Sequence, residues 1–427
     1  MKRYQDYFRG KKITVMGLGL LGRGVHDAKF LAECGAKIIV TDLKTREQLK
    51  KSLAKLKKFR SIKYRLHEHR LEDFRNRDLI IKAAKVPLDS PFVKEARKNG
   101  IPVEMSTALF ARLSGAIILG ITGTRGKSTT THLIYHLLKT SGRPVHLGGN
   151  VKGISTLALL KKVKPGDIAA LELDSWQLQG FGEAKISPHI AVFTNLLPDH
   201  LDYYKSNANR YFADKTNIFR FQNKKDFTVA GAAIAPRIKT KGKKIVPRPL
   251  PTSWPLSLPG KHNRENAAMA VAAVKILGLK ENEIKKGLAT FTGLPGRLEL
   301  LRTVRGIKIY NDTTATTPDA TKAALQALEG KQIRQADRKI ILIMGGADKK
   351  LNTQSLLKII PRYSKKVILL PGTGTDTLPK KFRETCDQAR SLKEALQYAI
   401  RVAHSGNIIL LSPAFASFGM FKNEFDR

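Results

Sequence analysis

An α/β protein of three successive units, each a parallel sheet covered by helices, is predicted by three observations. Apolar, strand-sized runs alternate with helix-like stretches along the chain. Two of these runs lead into glycine-rich turns that open a helix, "KITVMG" into "GLGLLG" and "AIILGIT" into "GTRGKSTT". At 427 residues the chain exceeds one ordinary core, so two or three domains are expected.

The first unit opens with "KITVMG", the glycine turn and the helical stretch "GRGVHDAKFLAECG", followed by the strands "AKIIVTD" and "DLIIKAAK". The second begins at "ARLSGAIILGITGTRGKSTTTHLIYHLLKTSG", a strand, loop and helix, and continues through "DIAALEL" and "HIAVFTN". From about Phe227 to Pro255 the chain is rich in Lys and Pro and reads as connection or short strands. A helix of Ala and β-branched residues, "GKHNRENAAMAVAAVKILG", then leads to "GLPGR", which ends the unit. The third unit carries the strands "GIKIYND", "RKIILIMGG", "KKVILLPG" and "NIILLSPA". No repeat and no low-complexity tail interrupts this pattern.

Composition narrows the class. Apolar (42%) and charged (26%) fractions are those of a globular protein. No run approaches the roughly 18 apolar residues of a membrane span, and "MKRYQDYFRGKK" lacks the apolar stretch of a signal peptide. Cys34 and Cys386 are isolated thiols without metal or redox spacing. The expectation is a soluble, cytoplasmic protein with no membrane insertion. The net charge of +42 would suit an anionic partner, but every quarter of the chain is positive and no RNP, zinc-finger or basic-zipper pattern occurs. This favours a solvated basic surface, with no specific nucleic-acid partner.

Two glycine turns carry most of the chemistry. In "GLGLLG", Gly17 to Gly22 follow a strand and open a helix, and Asp42 ends the next strand. That pattern allows close backbone approach to a pyrophosphate and supplies a carboxylate for a ribose. A nicotinamide or flavin, a different diphosphate such as a UDP-sugar, and a turn used only for packing all fit it. "GITGTRGKSTT" differs from the common G-x-x-x-x-G-K-[ST] loop, because Ile121 stands where its first glycine belongs and Gly123 lies only three residues before Gly126. Its placement between strand and helix still offers backbone N–H groups, the Lys127 ammonium and the Ser128 and Thr129 hydroxyls to phosphate and Mg²⁺. Glu172, at the end of "DIAALEL", is placed to bind magnesium, and Asp174 either shares that role or is merely polar. "TNLLPDHLDYY" brings Asn195, Asp199, His200 and Asp202 to the end of another strand.

"GITGTRGKSTT", "GGN" (Gly148–Asn150), "LELDSWQL", "TNLLPDHLD", "LPGKHNRENAAMA", "GLPGRLE" and "YNDTTAT" occur in the order and approximate spacing of the Mur ligase family, ATP-dependent amino-acid ligases of peptidoglycan assembly. The chain resembles that family over all three units, and "GLGLLG" with "LLSPAFASFGMFKNEFDR" is similar to its D-glutamate-adding branch. The resemblance implies a Rossmann-like UDP-sugar domain over 1–107, a P-loop ATPase-like domain over 108–297 and a Rossmann-like amino-acid domain over 298–427. It implies ATP, two Mg²⁺ ions, UDP-N-acetylmuramoyl-L-alanine and D-glutamate as cofactors and partners of a monomer. By the family pattern Gly123, Thr124, Arg125, Gly126, Lys127, Ser128 and Thr129 cradle ATP phosphates, and Asn266, Arg297 and Asp312 hold the nucleotide. Ser128, Glu172, His200 and Lys215 correspond to the metal sites, Lys215 as a carbamate, and Lys127, His200 and Lys215 to catalytic positions. Gly17, Leu18, Gly19, Leu20, Leu21, Asp42 and Asn150 would face the UDP-sugar, and Thr316, Lys349 and Ser417 the D-glutamate.

Some positions depart from the family pattern. Thr314 replaces a lysine of "NDSKAT", Ala83 to Val86 replace an "SPG" segment, "LELSSF" has become "LELDSW", and Glu424 stands for an aromatic residue. They bear on sugar contacts and amino-acid selectivity. Rival expectations are a related ligase with different selectivity, such as L-glutamate or a folylpolyglutamate synthase, and a non-catalytic basic binding protein. The N-terminal glycine turn counts against the folate option, and the retained Lys127, Ser128, Glu172 and His200 count against a dead enzyme.

Overall fold

The computed structural model describes residues 3–20, 22–151, 153–199, 203–205, 207–329, 339–417 and 420–421. Its contacts divide the chain into two compact units, residues 1–250 with 266–287, and 251–265 with 288–427. Among the described residues no helix is long and apolar enough to cross a membrane.

The first unit holds two parallel sheets. β1 (Lys12–Met16), β2 (Lys37–Asp42), β3 (Lys63–Leu66), β4 (Leu79–Lys82) and β5 (Val103–Glu104) lie in the order β3-β2-β1-β4-β5. β6 (Ile117–Thr122), β7 (Val145–Gly149), β8 (Ile168–Glu172), β9 (Ile190–Phe193), β10 (Phe227–Ala230) and β11 (Lys243–Ile245) lie in the order β11-β10-β9-β6-β8-β7. Strands buried on both faces read as continuous apolar runs rather than alternations, as "AALE" and "IAVF" do here. One buried apolar cluster runs from Phe8, Ile13 and Val40 through Phe110 to Leu171 and Phe193, so the two sheets share a core. In each sheet the strand order reverses beside the first strand, β1 or β6, and ligands of open α/β sheets gather outside the strand ends at such points.

The second unit holds β12 (Glu299–Val304), β13 (Ile307–Asn311), β14 (Ile340–Gly345), β15 (Ser364–Leu370), β16 (Asp387–Gln388) and β17 (Ile408–Leu411), in the order β12-β13-β17-β14-β15-β16. β12 pairs antiparallel to β13, and the other neighbours are parallel. Buried clusters line both faces, one around Leu342, Met344 and Leu410, the other around Ile341, Ile343 and Ile409. The expected α/β class is observed. The strands absent from the sequence reading are β3, β5, β7, β12 and β16, which are partly or largely exposed, end in glycines or are only two residues long.

Candidate active site

The phosphate loop spans the end of β6 and the helix Lys127–Thr140. Its two glycines are fixed by sterics. Gly123 has φ +141°, and a Cβ there would lie 1.9 Å from Thr194 Oγ1. Gly126 has φ +81°, and a Cβ would lie 2.2 Å from Asn266 Oδ1. Thr194 follows β9, so the displaced glycine is where the loop passes directly over the neighbouring strand. Thr124 N–H donates to Asn195 O at 2.9 Å and Arg125 N–H to Asn195 Oδ1 at 2.9 Å. Arg125 also pairs with Asp199 at 2.9 Å. Lys127 Nζ donates to the Gly123 and Thr124 carbonyls, both at 3.0 Å. Burial lowers the Lys127 ammonium from its ordinary value, and Glu172 opposes that shift. Ser128 and Thr129 occupy the first helical turn, and Asn266 stands over Gly126.

Glu172 ends β8 and is buried at 4% exposure. Its Oε1 accepts from Asn150 Nδ2 at 3.2 Å, and its carbonyl accepts from Asn150 N–H at 2.7 Å. Asp174 caps the helix Ser175–Glu183 in a reciprocal capping box with Gln177. Its carboxylate is thus occupied in part by the helix start, the polar alternative of the sequence reading. Lys215 is 1% exposed on the helix Ala208–Thr216. Its Nζ donates to Gly123 O at 2.8 Å and Thr122 Oγ1 at 3.3 Å, and sits 4.8 Å from the Tyr211 ring centroid. Burial first, and the neighbouring Lys127 charge second, hold Lys215 well below the ordinary lysine value. Hard oxygen donors such as Ser128 and Glu172 suit Mg²⁺, whereas an amine does not ligate it without conversion to an anion. Among the described residues no three His, Cys, Asp or Glu gather as a metal site. His200, Leu21, Asp202 and Glu424 lie outside the described residues.

The other glycine turn leaves β1 and enters the helix Arg23–Glu33. Asp42, 4% exposed at the end of β2, accepts from Gly19 N–H through Oδ2 and from Lys44 N–H through Oδ1, both at 2.9 Å. The carboxylate expected to meet a ribose therefore also pins the turn. Gly17, Leu18, Gly19 and Leu20 line a cavity of about 780 Å³ that extends to Lys127 and Asn150.

In the second unit, Leu298 N–H and Ser412 Oγ donate to the Asp312 carboxylate at 3.0 and 2.8 Å. Burial pushes its pKa up to about 7, against the lowering effect of Ser412, Leu298 and Arg297. A carboxyl raised on folding binds its proton more tightly in the folded state. Its contribution to stability is therefore greatest at low pH and declines as pH rises from about 4 to about 7. We expect the urea midpoint of the wild type to fall across that window relative to Asp312→Asn. Parallel profiles for the two proteins would contradict the shift. Lys349 Nζ donates to Thr316 Oγ1 at 3.1 Å, and Ala347 pairs with Ala416, which brings Ser417 to the same edge. Thr314 donates to Gly296 O at 2.9 Å. Asn266 lies in the first unit, Arg297 and Asp312 in the second.

The cavity lining also includes residues not named as site residues from sequence, among them Lys82, Lys85, His69 and Trp176. The signal available for Lys82 was a charge ending an otherwise apolar strand, "LIIK".

Comparison with known proteins joins these features. Residues 121–246 match the Mur ligase middle domain, and residues 296–415 the Mur ligase glutamate ligase domain. A UDP-N-acetylmuramoylalanine--D-glutamate ligase of Roseiflexus sp. is 36% identical, covering 98% of this chain and 97% of the relative. One of the same name from Acetivibrio thermocellus is 32% identical, covering 99% and 96%. Among solved structures, a UDP-N-acetylmuramate-alanine ligase of Thermotoga maritima superposes with TM-score 0.60 at 19% identity, covering 95% of this chain and 96% of that one. A MurF ligase from Thermotoga maritima in complex with ADP gives 0.59 at 16% identity, covering 95% and 92%. The structural likeness shows the shared fold, and the near full-length identity to the two ligases shows kinship: this chain belongs to the Mur ligase family.

Proposed function

We propose that the chain is an ATP-dependent ligase that joins D-glutamate to UDP-N-acetylmuramoyl-L-alanine, releasing ADP and phosphate, in peptidoglycan precursor synthesis. The observation that carries this reading is the single cavity lined by both the Gly17–Leu20 turn and Lys127 of the phosphate loop. A sugar nucleotide seated on the turn would direct its acyl end toward the transferred phosphate. The names of the full-length relatives supply the substrates.

In this reading the γ-phosphate passes to the alanyl carboxylate, giving an acyl phosphate and ADP. The amine of D-glutamate attacks the acyl carbon, loses a proton, and phosphate leaves. The residues mainly neutralise charge and hold geometry. Gly123 to Thr129 cradle the ATP phosphates, Asn266, Arg297 and Asp312 hold the nucleotide, and Lys127 stabilises the transferred charge. Mg²⁺ would supply charge neutralisation, held by Ser128 and Glu172, with His200 and a carbamylated Lys215 at a second position. Gly17 to Leu21, Asp42 and Asn150 take the sugar nucleotide. Thr316, Lys349 and Ser417 present a cation and hydroxyls to a dicarboxylate, the chemistry D-glutamate requires. The proposed divisions are 1–107, 108–297 and 298–427, in a cytoplasmic monomer.

The test is phosphate release from ATP with UDP-N-acetylmuramoyl-L-alanine and either D-glutamate, L-glutamate or no amino acid. Release dependent on D-glutamate is expected. Release with L-glutamate alone would overturn the selectivity while retaining the ligase, and no amino-acid-dependent release would overturn both.

A further inference from the structure

Lys82 ends β4 and is 3% exposed, yet it lines the cavity that begins at the glycine turn. Its ladder partner in β1 is Met16, the residue before Gly17, and Ala83 N–H bonds the Met16 carbonyl at 2.8 Å. Lys82 therefore ends β4 beside the end of β1, the pair of strands at which the strand order reverses. Nζ donates to Val86 O at 3.0 Å. Among the described residues that is its one hydrogen bond, and no carboxylate lies within ion-pair distance. An ammonium carries three donors, so two remain after the bond to Val86. Burial pushes Lys82 down to about 8, although the more distant Glu183, Asp174 and Asp214 carboxylates oppose this. A buried cation without a counter-charge destabilises the fold unless an anion joins it. Lys85, whose Nζ lies 5.3 Å from the Trp176 ring centroid, lines the same cavity and adds positive charge.

We propose that Lys82 is a diphosphate-binding residue, donating to a phosphate oxygen of the sugar nucleotide beside the Gly17 turn. The assignment rests on the sugar-nucleotide reading above. It names the diphosphate rather than the alanyl carboxylate because Lys82 pairs with Met16, the residue before Gly17, and Ala83 packs on Gly17, whereas the carboxylate belongs toward Lys127 and Asn150.

The test compares wild type, Lys82→Met and Lys82→Arg for binding of UDP, uridine and UDP-N-acetylmuramoyl-L-alanine by calorimetry, with thermal unfolding of each ligand-free protein. Lys82→Met is expected to weaken UDP and the full sugar nucleotide by a common factor of about tenfold or more. Uridine binding should be unchanged, Lys82→Arg should retain most UDP affinity, and the ligand-free Lys82→Met protein should melt no lower than wild type. UDP affinity within twofold of wild type in Lys82→Met overturns the assignment. So does a loss confined to the full sugar nucleotide, which moves the contact to the sugar or carboxylate. A lowered melting temperature with all three ligands weakened alike assigns Lys82 a structural role instead. Wild type that fails to bind UDP overturns the sugar-nucleotide reading together with the assignment.

Discussion

Lys127→Met is expected to lower amino-acid-dependent phosphate release on the order of a hundred- to a thousandfold, the usual cost of removing one preorganised charge stabiliser. The geometry supports a catalytic rather than a structural loss. Lys127 Nζ is held by two carbonyls of its own loop, Gly123 and Thr124, and the loop is separately fixed by Asn195 and Asp199 through Thr124 and Arg125. Methionine keeps the length of the stem without its charge, so the loop and the helix Lys127–Thr140 should persist. The assay therefore pairs turnover at saturating substrates with thermal unfolding. A folded variant that releases phosphate within threefold of wild type would remove Lys127 from the catalytic set.

The parts of this site that were legible in sequence are those whose chemistry is local. The phosphate loop is one example: strand, glycines, lysine, hydroxyls and helix lie within a single short segment. The reason for its displaced glycine was not local, because Thr194 comes from another strand and Asn266 from a distant helix. Asp174 shows a signal that was present but ambiguous. D-x-x-Q before a helix is a capping pattern, yet a carboxylate after a strand also reads as a metal ligand. β12 escaped because it is an exposed antiparallel edge, so burial imposes no apolar pattern on "ELLRTV". Lys82 escaped for the opposite reason: its strand reads as apolar, and only the fold reveals that its terminal charge is buried beside the glycine turn.

Lys215→Ala is expected to lose most activity and to regain part of it in millimolar bicarbonate-free acetate or formate. The argument begins with burial. A lysine at 1% exposure beside Lys127 is held well below its ordinary value, which favours the neutral amine. Two of its contacts, Gly123 O and Thr122 Oγ1, accept the two N–H bonds of such an amine and leave its lone pair to attack carbon dioxide. That addition forms one N–C bond, releases one proton and converts a cation-forming group into a carboxylate-bearing one. Alanine removes the stem and leaves space for a small carboxylate to take that place, whereas chloride at the same ionic strength should not restore activity. Wild type stripped of carbon dioxide should slow and recover on adding bicarbonate, while the alanine variant should not respond to bicarbonate through residue 215. An alanine variant with full activity would exclude a catalytic part for Lys215. A folded, inactive variant rescued by no carboxylate, alongside a wild type indifferent to carbon dioxide, would leave Lys215 as a brace for the phosphate loop through Gly123 and exclude the carbamate.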